Sequence, residues 1–458
     1  MHHSKSEAMR FELTKEFIEG TKLAIETKDV DWLKIHILDL HFADIAEILD
    51  LLNNDDAKYI YFLMDDDQQA DVLMELDEDI RDRFLSSLST KEIADQLENL
   101  DSDDAADILG ELSEEQVQEV ISQMQDNDAI GDIVDLLNYD EDTAGGLMQK
   151  EFIKARIDWP VDRALVELRR QAEDVEQVFT IYVVDDLGKL MGVLSLKRLL
   201  FAKPKTKIAD LFNGKNIISV KTNEGAEEVA KIMEKYDLVS LPVVDLQNKL
   251  VGRITIDDMV DFIKEEADKD FQLASGISER IESTSSVWRI SRARLPWLII
   301  GMIGGICGAQ VISGFETQIS AVPALAFFIP LITAMGGNVG VQSSAIVVQS
   351  LAKGNDLFDS VFKKIGKETL VALINGILLS TLIYIFGVFF ENQTLALIVC
   401  LSLFTVIIFA SIFGTLIPLI LNKYKIDPAL ATGPFVTTLN DVIGLFIYFT
   451  IGMLLYHI

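Results

Sequence analysis

The chain has 458 residues, with 40 Lys or Arg against 72 Asp or Glu, a net charge of −32, and two cysteines. So acidic a chain repels polyanions, which excludes nucleic acid as a partner, and the two cysteines (Cys307 and Cys400, both in apolar stretches) build no disulfide framework. The acid is confined to one part: residues 1–290 carry 32 basic and 65 acidic residues, whereas 291–458 carry eight and seven.

Residues 1–20 read as a tail. Met1–Glu19 is charged and amphipathic, without the apolar core of a cleavable signal, and His2 and His3 look like an accident of the start rather than a metal pair. Residues 21–149 form an acidic helical domain. From about 40 to 140 an apolar residue recurs about every twelve positions: Leu52, Leu63, Leu76, Leu88, Leu100, Leu112, Met124, Leu137. Between them lie Asp65-Asp66-Asp67, Asp101-Ser102-Asp103-Asp104 and Ser113-Glu114-Glu115, which are helix-start signals. Short helices at a fixed period predict a small superhelix. For any single carboxylate here, solvation and helix-start electrostatics is the preferred account.

Residues 150–262 contain an internal repeat. Ile181-Tyr182-Val183-Val184-Asp185 to Ser195 matches Leu241-Pro242-Val243-Val244-Asp245 to Thr255 at an offset of sixty residues. Each copy reads as strand, turn, strand and helix, with a helix upstream at Val161–Ala172 and Ala226–Tyr236. The pattern resembles a tandem pair of CBS domains. Such pairs either hold an adenine nucleotide or only dimerise. The resemblance implies a ribose and phosphate contact, here with ATP in view, at Gly252, Thr255 and Asp258. Arg198 stands where the first copy would carry the matching Asp.

An acidic linker helix is expected over 263–290, entered from Asp257. Asp258, Asp261 and Glu265 share a helical face, and Glu266 and Asp270 stand four apart. Like charges at that spacing repel, and a divalent cation would relieve them. The plainer account is a solvated acidic helix. Its position between the acidic body and the membrane favours metal.

Residues 291–458 hold five apolar blocks: Leu295–Phe315, Thr317–Ala352, Thr369–Phe390, Asn392–Asn422 and Ala429–Ile458. Each is long enough to cross a bilayer, and the second and fourth are long enough to hold breaks. Arg289, Arg292, Arg294, Lys353, Lys363, Lys364, Lys367, Lys423 and Lys425 fall on one set of loops; Glu316–Ser320 and Glu391–Thr394 contain no Lys or Arg. The bias of positive charge predicts a multi-pass protein of the inner (plasma) membrane, with its N-terminus cytoplasmic and its C-terminus outside.

Within this part, Met335-Gly336-Gly337-Asn338-Val339-Gly340-Val341-Gln342-Ser343-Ser344 reads as an interruption whose glycines free backbone carbonyls, with Asn338 and Gln342 on one face. Gly301, Gly304, Gly305 and Gly308 form overlapping Gly-x-x-x-Gly pairs suited to helix packing. Asp441 is the only charge after position 428, and Pro434, Thr437, Asp441 and Gly444 stack on one helical face. A carboxylate at mid-bilayer depth costs about 2.5–3.5 kcal/mol on insertion, so it marks an ion or proton path; the plainer account is a cap or an interhelical bond.

In this order, these features resemble the MgtE family of magnesium channels: an all-α superhelical N domain, an α/β tandem CBS pair, a linker helix and a five-helix α transmembrane domain. Gly336-Gly337-Asn338-x-Gly340-x-Gln342-Ser343 and Pro434-x-x-Thr437-x-x-x-Asp441-x-x-Gly444 are the most specific part. The resemblance implies a homodimer with its pore at the subunit interface, lined by the second and fifth spans. Asp441 would hold hydrated Mg2+, with Gly337, Asn338, Thr437 and Pro434 lining the path. Asp237, Asp258, Asp261, Glu266 and Asp270, and more weakly Glu227, match positions where cytosolic Mg2+ closes the channel. Val341 departs from the polar residue of some relatives.

Mg2+ dehydrates reluctantly, which suits a single carboxylate acting through retained waters. An inside-negative potential contributes about 4.6 kcal/mol per 100 mV to entry of a divalent ion. No Gly-x-x-x-x-Gly-Lys-Ser/Thr phosphate loop occurs, so no ATP hydrolysis and no enzyme is expected. The competing reading is a membrane-tethered Mg2+ or nucleotide sensor that transports nothing.

Overall fold

The computed structural model describes residues 11–456 apart from 173–174, 176, 216, 280, 282–284, 353–360, 390–392 and 432. The expectations for His2, His3, Lys353, Glu391 and Asn392 lie outside the described residues. Two compact units divide the chain, 1–263 and 264–458.

The first unit opens with α1 (Lys15–Thr27) and α2 (Val30–Leu33), which runs on into a π-helical turn over Lys34–Leu38. Eight short helices follow: α3 (Phe42–Asp50), α4 (Asn54–Tyr61), α5 (Asp66–Glu75), α6 (Glu78–Leu85), α7 (Thr90–Leu97), α8 (Ser102–Glu111), α9 (Glu114–Gln123) and α10 (Asn127–Leu136). From α3 to α9 their first residues fall at 42, 54, 66, 78, 90, 102 and 114, so the twelve-residue period of the sequence is the structural repeat. Starts are fixed by polar caps. Asn53, Asp65 and Asp126 accept backbone N–H groups of the following turn, and Ser89 with Glu92 and Ser113 with Gln116 close reciprocal capping boxes. The recurring apolar residues sit at or just after helix ends, and the core itself is built from positions such as Ile48, Ile60, Leu73, Phe84 and Ile108, each no more than 1 % exposed. Burying each such side chain contributes about 1.5–3 kcal/mol.

The repeat over 150–262 folds as two three-stranded sheets. In the first, β1 (Ile153–Arg156) runs parallel to β2 (Ile181–Val184), which pairs antiparallel with β3 (Leu190–Leu194). In the second, β4 (Val220–Lys221), β5 (Ser240–Val244) and β6 (Leu250–Thr255) repeat that order. Helices α11 (Val161–Gln171) and α13 (Ala226–Tyr236) precede the hairpins, as expected. The copies differ at their ends. The first closes with a one-turn helix, α12 (Leu196–Leu200), whereas the second runs into α14 (Ile256–Ala274), which carries the whole acidic linker face but ends well short of the helix expected over 263–290.

Among the described residues, the second unit holds five helices long and apolar enough to cross a membrane. They are α15 (Val287–Gly314), α17 (Ile329–Ala352), α18 (Val361–Phe389), α19 (Gln393–Lys423) and α20 (Pro434–Tyr456), with a short α16 (Glu316–Ala321) and a 3-10 turn (Pro323–Phe328) before α17. Two expectations are corrected. The second apolar block breaks at this 3-10 turn and not at Met335–Ser344, which lies within continuous α17. Its glycines serve close packing and free no carbonyls. The fourth block is one unbroken helix despite Pro418. In α15, only half of the glycine pattern packs. Gly304 meets Thr438 so closely that a Cβ would collide, and Gly308 faces Leu445, while Gly301 and Gly305 face open space.

Candidate functional site

In the second unit, Asp441 lies two turns into α20, half-buried. Opposite it runs α17. A Cβ at Gly337 would lie 2.9 Å from Thr437 Cγ2 and 3.6 Å from Asp441 Oδ1. Gly337, Thr437 and Asp441 are therefore brought together, and only the missing side chain at 337 allows that approach. The Thr437 hydroxyl donates to Gly433 O at 2.9 Å, so its proton is committed within the helix and its oxygen keeps lone pairs for a ligand.

Asn338 and Gln342 are exposed one turn apart, with Gln349 two turns further along the same helix. Amides at such depth are not stable against hydrocarbon. Pro434, the first residue of α20, lies seven residues and so about 10 Å along the axis from Asp441. It packs on the end of the linker, where a Cβ at Gly276 would sit 2.7 Å from its ring. Gly276 (φ 80°) and Gly433 (φ 62°) adopt the left-handed conformation, and a Cβ at Gly433 would strike the carbonyl of Ala274. The end of α14 thus abuts the start of the helix that carries Asp441.

Asn440 went unnoticed in the sequence. It is 1 % exposed, its amide atoms have no hydrogen-bond partner, and it presses on Gly340, where any Cβ would collide with it.

In the first unit, Asp258 occupies the first turn of α14. Thr255 donates to its carboxylate from Oγ1 at 2.5 Å and from the backbone N–H at 3.3 Å. Around it gather carboxylates of α8 that sequence reasoning left as solvated acid. Asp103 is 6 % exposed, with one carboxylate oxygen buried and unpartnered. Burial, then the neighbouring charges of Asp104 and Asp258, hold its carboxyl well above the ordinary range. Burial followed by Asp258 lifts Asp104 to about 8, burial followed by Glu141 lifts Asp107 to about 7, and burial lifts Asp258 itself to about 6 against the hydrogen bond from Thr255. Arg81, ion-paired with Glu111, offsets part of this at Asp104 and Asp107. The start of α8 is tied to the first CBS-like copy by Ser102, which donates to Glu151 from Oγ at 2.9 Å. A signal for Asp103 existed: it shares the apolar face of Ala106, three residues on.

The other expected metal residues stand apart. Asp237 is exposed at the left-handed C-cap of α13, and Glu227 pairs with Lys231 at 3.2 Å. Asp261 is exposed, Glu266 accepts from Lys269 at 2.8 Å, and Asp270 lies one turn beyond Glu266. Among the described residues no three His, Cys, Asp or Glu side chains form a ready metal cage.

At Gly252 the chain packs closely on its own neighbours. A Cβ there would lie 2.7 Å from Met148 Sδ and 2.8 Å from Gln149 O, and Gln149 exchanges backbone hydrogen bonds with Arg253. The missing side chain at Gly252 lets the Met148–Gln149 segment pack on β6. A separate cleft of about 1380 Å3 lies between the helical repeat and the first CBS-like copy. Its lining sets Asp128 and Asp132 against Lys150, Lys154, Arg156 and Arg170, and includes none of Gly252, Thr255 and Asp258.

Five apolar helices joined to an acidic helical repeat and a CBS-like pair define the class, a multi-pass membrane protein with a large N-terminal portion outside the spans. The chain matches the family described as MgtE, divalent cation transporter, over residues 329–451, the MgtE intracellular N domain over 40–142, and CBS domains over 144–205 and 208–265. It is 36 % identical over 323 residues to the magnesium transporter MgtE of Bacillus subtilis (70 % of this chain, 71 % of that protein). It is 39 % identical over 326 residues to that of Thermus thermophilus, with the same shares. The chain belongs to the MgtE family.

Among solved structures, the soluble part of a magnesium transporter superposes with a TM-score of 0.50 at 29 % identity, covering 55 % of this chain and 99 % of that one. The cytosolic domain of the Mg2+ channel MgtE in complex with ATP does so with 0.50 at 34 % identity, covering 54 % and 99 %.

Proposed function

We propose that the chain is a Mg2+ channel that admits magnesium across the plasma membrane and is closed by Mg2+ on its cytosolic side. The observation that carries this reading is the convergence of Asp441 and Thr437 on Gly337. It is a carboxylate with a neighbouring oxygen acceptor, facing a helix that carries no side chain at Gly336, Gly337 and Gly340 and whose Asn338 and Gln342 are exposed. One carboxylate with room beside it suits an ion that keeps its waters. Exposed amides call for a wet path or a second copy of the chain, which supports a homodimer with the path between subunits. The placement of Lys and Arg supports a cytosolic N-terminus.

Closure follows from the acid around Asp258. Asp103, Asp104, Asp107 and Asp258 are desolvated and mutually repelling, and Asp103 has an oxygen without a partner. These residues fit a hydrated divalent cation, which would supply the missing charge and hold α8 against the start of α14. Asp237, Asp261, Glu266, Asp270 and Glu227 are assigned supporting cation contacts made when the subunits and domains close. The far end of α14 abuts Gly433 and Pro434, which gives the linker a direct hold on α20. An adenine nucleotide, ATP in the first instance, is assigned to the CBS pair as a modulator. Support comes from the ATP-bound cytosolic domain of the similar channel.

Flux into proteoliposomes tests the reading. The full chain is expected to pass Mg2+ down its gradient, and Asp441→Ala to lose that flux while remaining a folded dimer. No flux from the wild-type chain would leave a sensor, and undiminished flux in Asp441→Ala would remove the pore role.

A further inference from the structure

Behind α17, away from Asp441, lies an ionisable group that the proposed pathway does not use. Glu368, two turns into α18, is 9 % exposed. Its face of α18 continues through Ala372, Gly376 and Ser380, all buried at four-residue spacing, so the carboxylate occupies the first position of a small-residue seam. Ser343 of α17 places its Oγ 3.3 Å from Glu368 Oε2 and 3.2 Å from Ser411 Oγ of α19, and Ser411 donates to the carbonyl of Glu368 at 3.4 Å. Three helices meet there through polar atoms. One turn earlier on α18, Lys364 donates to Ser350 Oγ of α17 at 3.3 Å. The two rungs, Lys364 to Ser350 and Glu368 to Ser343, join the antiparallel helices α17 and α18, which otherwise pack along α19 rather than along each other.

Elsewhere α17 is held by glycine. Gly336 meets Val406, Gly337 meets Thr437, and Gly340 meets Asn440 and the backbone opposite Gly414. Such surfaces allow close approach, but they are smooth and resist sliding along the helix axis weakly. Directional polar contacts do resist it. A buried carboxylate with one neutral hydroxyl partner costs stability relative to an apolar side chain, and fixing a register is the best-attested use of such a group.

We propose that Glu368, supported by Lys364 and received by Ser343 and Ser411, is the latch that sets the axial register of α17, and so keeps Gly337 opposite Asp441. It is a positioning residue for ion passage. This rests on the reading of α17 and α20 as the walls of the path.

The test is Mg2+ and Ca2+ flux through the full chain in proteoliposomes, with dimer and thermal stability checked for each variant. Glu368→Leu, which keeps volume and removes the polar contact, is expected to lower Mg2+ flux about tenfold and to narrow the preference for Mg2+ over Ca2+. Glu368→Gln keeps an acceptor for Ser343 and is expected to restore both to within about threefold of wild type. A folded Glu368→Leu dimer with wild-type flux and preference overturns the latch, and so does a Gln variant as impaired as Leu, which would assign the role to charge.

Should Glu368→Leu not fold, the double variant Ser343→Ala with Ser411→Ala decides. Reduced flux and preference support the latch, and unchanged values overturn it. Asp441→Ala run alongside separates the two readings. If that variant conducts normally, the pathway itself is wrong. If flux depends on Asp441 and ignores Glu368 and both serines, only the latch fails.

Discussion

Asp441 and Asp258 carry the same functional group and are placed in opposite ways. Asp441 stands in a helix with no other charge, beside backbone and a hydroxyl oxygen, where Gly337 leaves space. Asp258 stands among Asp103, Asp104 and Asp107, and burial first, then neighbouring charge, holds each carboxyl above its ordinary range. A lone carboxylate with room around it attracts a hydrated ion and releases it. Several desolvated carboxylates bind a cation more tightly, because binding also removes their mutual repulsion. Passing an ion and measuring its concentration thus call for different numbers of the same group.

The contrast extends to how each region is held. The membrane unit adds close glycine contacts to its apolar core, and the cytosolic unit adds helix caps to its own. The largest predicted effect follows at Gly340, whose Cα faces Asn440 and whose carbonyl faces Gly414. Gly340→Leu is expected to abolish uptake in a magnesium-dependent growth assay, since overpacking of about 1–3 kcal/mol or more falls on a junction of three helices. Gly305→Leu, on the open side of α15, is expected to grow as wild type. Equal growth of the two variants would erase the distinction between packed and open glycines.

Next in size is a pH effect confined to the cytosolic unit. Asp104, Asp107 and Asp258 bind protons more tightly when folded than when unfolded. Metal-free stability is therefore fully present below the unfolded value of 3.8 and is lost as pH rises through about 6 to 8. Hydrogen exchange of α8 amides, corrected for intrinsic rate, is expected to be slower at pH 5.5 than at pH 8 by about tenfold, equivalent to about 1.4 kcal/mol. Millimolar Mg2+ is expected to flatten this difference, and Asp104→Asn to reduce it. A cluster that is more protected at pH 8 without metal would reverse the account of its electrostatics.

The smallest effect concerns nucleotide. With Gly252 packed against Met148 and Gln149, Gly252→Ala is expected to perturb packing, whereas Arg156→Ala in the wide cleft is expected to leave ATP heat unchanged. Titration calorimetry of the full chain with ATP checks both. Absence of heat in the wild type would remove nucleotide from the proposal.

Much of this architecture was legible in the sequence because it is periodic. The twelve-residue repeat, the sixty-residue repeat and the five apolar blocks each correspond to observed elements. Two kinds of feature were not legible. Glycines that permit close packing and glycines that break a helix look alike in one sequence, so Met335–Ser344 was expected to be irregular and is helical. Acid on a buried face was also hidden by abundance: Asp103 sits among many solvated carboxylates, and only its place on the face of Ala106 distinguishes it. Glu368 was missed for a related reason. In the sequence the apolar block begins at Thr369, one residue after a carboxylate that belongs to the buried seam of Ala372 and Gly376.

The central claim is that one carboxylate passes the ion and many decide when. Patch-clamp recording of Mg2+ current, with Mg2+ titrated on the cytosolic side, tests it most directly. A variant combining Asp103→Asn, Asp104→Asn and Asp258→Asn is expected to conduct as wild type when open and to need about tenfold more cytosolic Mg2+ for half-closure. Unchanged closure in that variant, or an open-channel current that falls with it, would contradict the division of labour between Asp441 and the acidic cluster.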